Sequence, residues 1–106
     1  MKISKAHGTT QAEAIAQIDR FLDGLMSQAF PGGVTIKDPT KLWQGNIMSF
    51  SFRARKGLFG TVIAGEVTVD DQNVTLNCEV PALVTSFVPE EKIAGVINRQ
   101  FDQLFT

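Results

Sequence analysis

A chain of 106 residues has room for one hydrophobic core, because two cores of half that size could not each stabilise themselves, so residues 1–106 are expected to form a single domain. Hydrophobic residues at 43% and charged residues at 20% match an ordinary soluble globular domain. Ten basic against eleven acidic residues leave a net charge of −1, which rules out a uniform positive field and argues against a nucleic-acid partner.

One cysteine, Cys78, excludes an internal disulfide and a cysteine-rich zinc site. Met1 to Gly8 contains no apolar run of signal-peptide type, and no stretch approaches the ~18 apolar residues that span a bilayer. A cytoplasmic protein without a transmembrane segment is expected.

Lys2 to His7 alternates weakly around Ile3 and suits a short strand that ends at Gly8. Thr10 followed by Glu13 is a capping-box pattern, in which the hydroxyl accepts from the third helical N–H while the carboxylate reaches back. Ile15, Ile18, Leu22, Leu25, Met26 and Ala29 then fall at spacings of three and four, the stripe of an amphipathic helix. Pro31-Gly32-Gly33 stops it. Val34 to Lys37 reads as a strand. Asp38-Pro39-Thr40 interrupts its alternation, leaving a bulged edge strand or two short pieces.

The clearest pattern runs from Leu42 to Pro81, where large apolar and polar side chains alternate and Gly, Asn and Asp punctuate at short intervals. That is the signature of an antiparallel meander with one buried and one wet face. Gly45-Asn46 supplies residues tolerant of positive φ for a hairpin. Met48, Phe50 and Phe52 share one face of the next strand, opposite Ser49, Ser51 and Arg53. After the turn at Arg55-Lys56-Gly57, Ile63, Val67 and Val69 share a face, with Gly65 between them marking a bend or the close approach of a helix. Beyond Asp70-Asp71-Gln72-Asn73, Val74, Leu76, Cys78 and Val80 alternate with polar residues, so Cys78 reads as a buried, inert thiol. Pro89-Glu90-Glu91 opens a last helix whose stripe is Ile93, Val96, Ile97, Phe101, Leu104 and Phe105. Strand, helix, four-strand antiparallel meander and helix place the chain in the α+β class.

Chemistry is sparse. His7 is the one histidine, and no His-Glu-x-x-His, EF-hand, Walker, dinucleotide or nucleophile-elbow pattern occurs, so no metal, cofactor or enzymatic role is expected. His7 and Cys78 could meet as a nucleophilic pair if the first and last strands were neighbours, but Cys78 points inward and no orienting carboxylate accompanies it. Glu66 and Glu79 read as solvated sheet residues, Trp43 as sheet-edge packing, and Arg53, Arg55 and Lys56 as a solvated loop tip. The apolar connection Leu83-Val84-Thr85-Ser86-Phe87-Val88 admits two readings: closure of the core, or an exposed patch for a partner. The second takes Leu83, Val84 and Phe87, joined by Leu58 and Phe59, as the hydrophobic partner-binding surface.

His7-Gly8 before an alanine-bearing helix, Trp43 followed by Gly45-Asn46, Phe50-Ser51-Phe52-Arg53, Gly57-Leu58-Phe59-Gly60-Thr61 and the closing amphipathic helix occur in an order and spacing that resemble the polyhydroxyalkanoic acid system proteins of polyester-storing bacteria. The segment Asp38 to Lys41 is longer than that pattern. The resemblance spans nearly the whole chain and implies a non-enzymatic role in polyhydroxyalkanoate metabolism, as a protein associated with the storage granule or an adaptor to a granule protein. The element order also resembles a trimmed START-like helix-grip fold, in which a long helix lies across a curved sheet. That likeness implies the alternative of a lipid or small apolar ligand carrier, with a cavity lined by Phe50, Phe52, Ile63, Ile97 and Phe101. A homodimer is compatible with either.

Overall fold

Alternation in the second half of the chain becomes a sheet in the computed structural model, which describes residues 1–26, 33–86 and 88–105. The described elements are β1 (Lys2–Ala6), α1 (Gln11–Met26), β2 (Thr35–Gln44), β3 (Ile47–Lys56), β4 (Phe59–Val69), β5 (Asn73–Cys78), the short α2 (Ala82–Thr85) and α3 (Glu90–Leu104). Every strand pairing is antiparallel and the spatial order is β1-β5-β4-β3-β2. The meander therefore runs from one edge inward, and β1 closes the other edge against β5. This is an α+β fold.

The pleat sorts side chains as the alternation predicts. Met48, Phe50, Phe52 and Ala54 of β3, Ile63, Val67 and Val69 of β4, and Val74, Leu76 and Cys78 of β5 are buried together on one face. Lys2, Ser49, Arg53, Val62 and Asn77 lie exposed on the other. Both long helices cover the buried face, α1 through Ala14, Ile18 and Leu22 and α3 through Ile93, Ile97 and Phe101. Each triplet is spaced by four residues, so it forms one stripe. Burial of each large side chain is worth about 1.5–3 kcal/mol, which holds these helices more firmly than intrinsic propensity does. The side chains of Leu25 and Met26, with Ala29, Pro31 and Gly32, lie outside the described residues.

Local signals resolve as follows. Thr10 Oγ1 accepts from the Glu13 N–H at 3.2 Å, the forward half of the capping box. Gly45 and Gly57 take positive φ at the β2–β3 and β3–β4 turns. Asp38-Pro39 is a bulge in one continuous edge strand: the β2–β3 register shifts between Lys37 and Thr40, and Asp38 sits at φ 52°. An edge strand tolerates proline because its outer side has no ladder to complete. The connection after β5 forms α2, and Val84 and Val88 turn inward from it.

Two expectations need correction. Val84, expected at an exposed partner surface, is only 7% exposed, because the α2 turn rotates it into the core. What approaches Gly65 is a ring, not a helix. A Cβ there would lie 2.8 Å from the Phe50 ring and 2.7 Å from the Asn77 carbonyl oxygen. Phe87 lies outside the described residues.

Candidate functional site

The core side chains leave space between the buried face of the sheet and the helices. A cavity of about 60 Å³ lies there. β3 contributes Phe50 and Phe52, β4 contributes Ile63 and α3 contributes Ile97 and Phe101, so the structure brings all five sequence-selected residues to one space. Phe50 and Phe52 stack with centroids 6.2 Å apart, and Phe101 meets Phe21 of α1 at 5.4 Å. Ile18, Leu22, Val67 and Leu76 complete much of the wall. Periodicity had marked these four as core, but could not say which core residues border a void.

No described lining side chain carries a charge or a hydroxyl, and Cys78 is the most polar among them; the charged amino terminus of the lining residue Met1 is bonded to the Cys78 carbonyl oxygen at 2.7 Å and lies 3.3 Å from Glu90. Burial pushes the Cys78 thiol pKa up, and the nearby Glu79 and Glu90 carboxylates oppose the thiolate further while the amino terminus favours it. Such a wall matches an aliphatic chain in polarity. On the scale where one water needs about 10–15 Å³, the space equals roughly four to six water-sized groups.

At one end of the sheet a smaller cavity of about 10 Å³ is bordered by Arg55, Lys56, Phe59 and Leu83, and shares Val34, Ala54 and Val84 with the larger one. Phe59, 58% exposed, and the half-buried Leu83 therefore both border this cavity. Leu58 is 98% exposed at the hairpin tip, next to Phe59 in the chain. Of the expected patch, Phe59 and Leu83 border one small cavity, Leu58 stands exposed at the adjoining turn, and Val84 is withdrawn into the core.

Other weighed groups are placed away from this region. His7, 3% exposed, donates from Nε2 to the Asp70 carbonyl at 2.8 Å and accepts at Nδ1 from the Thr9 N–H. The β1–β5 ladder pairs Ala6 with Asn73 and Lys2 with Asn77, which sets His7 and Cys78 at opposite ends. They form no nucleophilic pair. Glu66 faces Asn77 on the exposed face, and Glu79 lies exposed beyond the end of β5. Trp43 is a packing residue whose Nε1 donates to Asp19 at 2.9 Å. Among the described residues, no group of three His, Cys, Asp or Glu could hold a metal ion, and no helix is long and apolar enough to cross a membrane.

The model of the family described as "Putative polyhydroxyalkanoic acid system protein" matches residues 1–105. Comparison with curated proteins and with solved structures gave no match.

Proposed function

The chain belongs to the polyhydroxyalkanoic acid system family, and from that premise we propose that it is a small non-enzymatic cytoplasmic protein that attaches to polyhydroxyalkanoate granules or to a protein on them. The observation that carries this reading is the apolar rim, where Phe59 stays 58% exposed beside Leu83 with Leu58 fully outward at the adjoining tip. Exposed large apolar side chains gathered at one end of a small domain mark a contact surface more often than solvated chance. The test is co-sedimentation with lipid-free polyester particles. Phe59→Ser and Leu83→Ser are each expected to weaken binding roughly tenfold, the value of one large apolar side chain. Undiminished binding by both folded variants removes the rim from consideration.

A second reading is favoured by the larger cavity. A likeness to a trimmed START-like helix-grip fold rests on element order and on α3 lying over the space lined by Phe50, Phe52, Ile63, Ile97 and Phe101. In that reading the protein carries a small apolar ligand. Mass spectrometry of material that co-purifies with the native protein distinguishes the two: a bound acyl compound supports the carrier, a granule protein the adaptor. A homodimer fits either and is read by sedimentation.

A further inference from the structure

Strand pairing concentrates positive charge that the net value conceals. Lys37 lies directly across from Arg53, and Arg53 directly across from Val62, on the exposed face of β2, β3 and β4. Arg55 follows two residues on, exposed, its Cγ lying 3.4 Å from where a Cβ on Gly60 would be. With Lys56 at the end of β3, four of the ten basic residues sit at this end of the sheet, against one acidic residue, Asp38; the rest of the chain holds six basic and ten acidic residues. The molecule is electrically polarised, with this end positive.

Two features set the cluster apart from an ordinary solvated face. Like charges directly opposite on neighbouring strands destabilise a sheet, yet Lys37 and Arg53 are so placed. Among the described residues, the ion pairs bind Lys5 and Lys41 and leave Lys37, Arg53 and Arg55 without a carboxylate. Local rules are broken in this way where another requirement dominates. Set among the cations are Leu58, 98% exposed, and Val62, 56% exposed.

We propose that this end of the sheet docks on an anionic phospholipid surface, with Leu58 entering the acyl boundary and Lys37, Arg53 and Arg55 at the level of the phosphates. Aliphatic tips flanked by cations suit an amphiphilic layer, where apolar burial and phosphate attraction add. Leu58 and Val62 are aliphatic, and the neighbouring exposed ring, Phe59, borders the small cavity with Val34 and Leu83, so among the described residues the Lys37–Arg53–Val62 face presents no ring on which a nucleic-acid base could stack. The inference rests in part on the granule reading, since Leu58 serves both, but it adds a charged lipid partner that an uncharged polyester does not supply.

The test is co-sedimentation with vesicles of phosphatidylcholine alone and of phosphatidylcholine mixed with phosphatidylglycerol. Binding is expected to the mixed vesicles only, and to fall steeply with salt. Each cation removed should weaken it about fivefold, so Arg53→Gln with Arg55→Gln lowers it roughly thirtyfold. Leu58→Asn lowers it about tenfold with the salt dependence retained. All three positions are exposed, and an unchanged unfolding midpoint confirms that the variants fold. Equal binding to both vesicle types, no loss in the double variant, or binding to single-stranded RNA with none to vesicles each overturns the proposal. Retained binding to lipid-free polyester particles in that event leaves the rim reading standing.

Discussion

Gly65 shows how one missing side chain sets the packing of the buried face. Its Cβ position is occupied on three sides, by the Phe50 ring at 2.8 Å, the Asn77 carbonyl oxygen at 2.7 Å and Cys78 Cβ at 2.9 Å. The ring can rotate away, but the carbonyl belongs to the β5 backbone and cannot. Gly65→Ala should therefore destabilise the protein by about 1–3 kcal/mol, the range for overpacking, as read from urea unfolding. A loss below about 0.5 kcal/mol would mean that β4 and β5 separate locally without strain. The sequence marks Gly65 as a bend or the close approach of a helix, and the close neighbours are a ring and the adjacent strand. That outcome depends on register: Phe50 faces Gly65 and Gly65 faces Cys78 only once β3, β4 and β5 are aligned.

Elements are joined here by charge as well as by apolar burial. Lys41, on the edge strand β2, reaches both Asp19 and Asp23 of α1 at 2.7 Å, and Trp43 donates to the same Asp19. Hydrogen bonds from Lys41 and then Trp43 hold the Asp19 carboxyl below its ordinary 3.8, against a smaller opposing effect of burial. Burial alone would lower the Lys41 pKa, but its bonds to Asp19 and Asp23 together raise it above 10.5. The folded state thus binds a proton at Asp19 less readily than the unfolded chain does. Its stabilisation is complete above the unfolded carboxylate pKa and is lost as pH falls through the lower folded value; that of Lys41 is lost only as pH rises through its raised value. Asp19 is 40% exposed, so water screens the pair and the contribution is at most about 1 kcal/mol. Asp19→Asn should flatten the acid limb of the stability curve between about pH 5 and pH 2 while costing about 0.5 kcal/mol near neutrality. An acid limb identical to that of the parent protein would show that the tether contributes nothing. This junction is not legible in the sequence, because Trp43 reads as sheet-edge packing, Lys41 falls in the break between Lys37 and Leu42, and Asp19 lies in a helix with nothing to align the three. What the residues did carry was periodicity: β3 and α3 follow from spacing alone, whereas the Asp38-Pro39 bulge needed its partner strand and α2 was too short to leave a helical period.

Across the whole molecule, the same apolar periodicity that specifies the fold also conceals its cavity. Phe50, Phe52, Ile63, Ile97 and Phe101 were selected together because a sheet face and a helix stripe must meet, and they do border one space. Its size could not be read, since volume depends on how the rings stack and on how far α3 stands from the sheet. An unfilled 60 Å³ costs about 1.4 kcal/mol by the volume rule for cavities. Ala54 offers a way to reclaim part of it, because it is buried on β3 and borders both the large and the small cavity. Ala54→Val adds two carbons into that space and places a β-branched residue in a strand, so stability should rise by about 0.5–1 kcal/mol. If the space is a carrier site, the same change should abolish the thermal shift that a short-chain acyl compound of about four to six carbons gives the parent protein. Cys78, the one cysteine and a wall residue, supplies an independent readout: its slow alkylation should slow further with the ligand present, and that protection should vanish in Ala54→Val. A stabilised variant with thermal shift and protection both intact places the ligand elsewhere. A stabilised variant of a parent protein that neither shifts nor protects makes the cavity a packing defect and leaves the rim as the working surface.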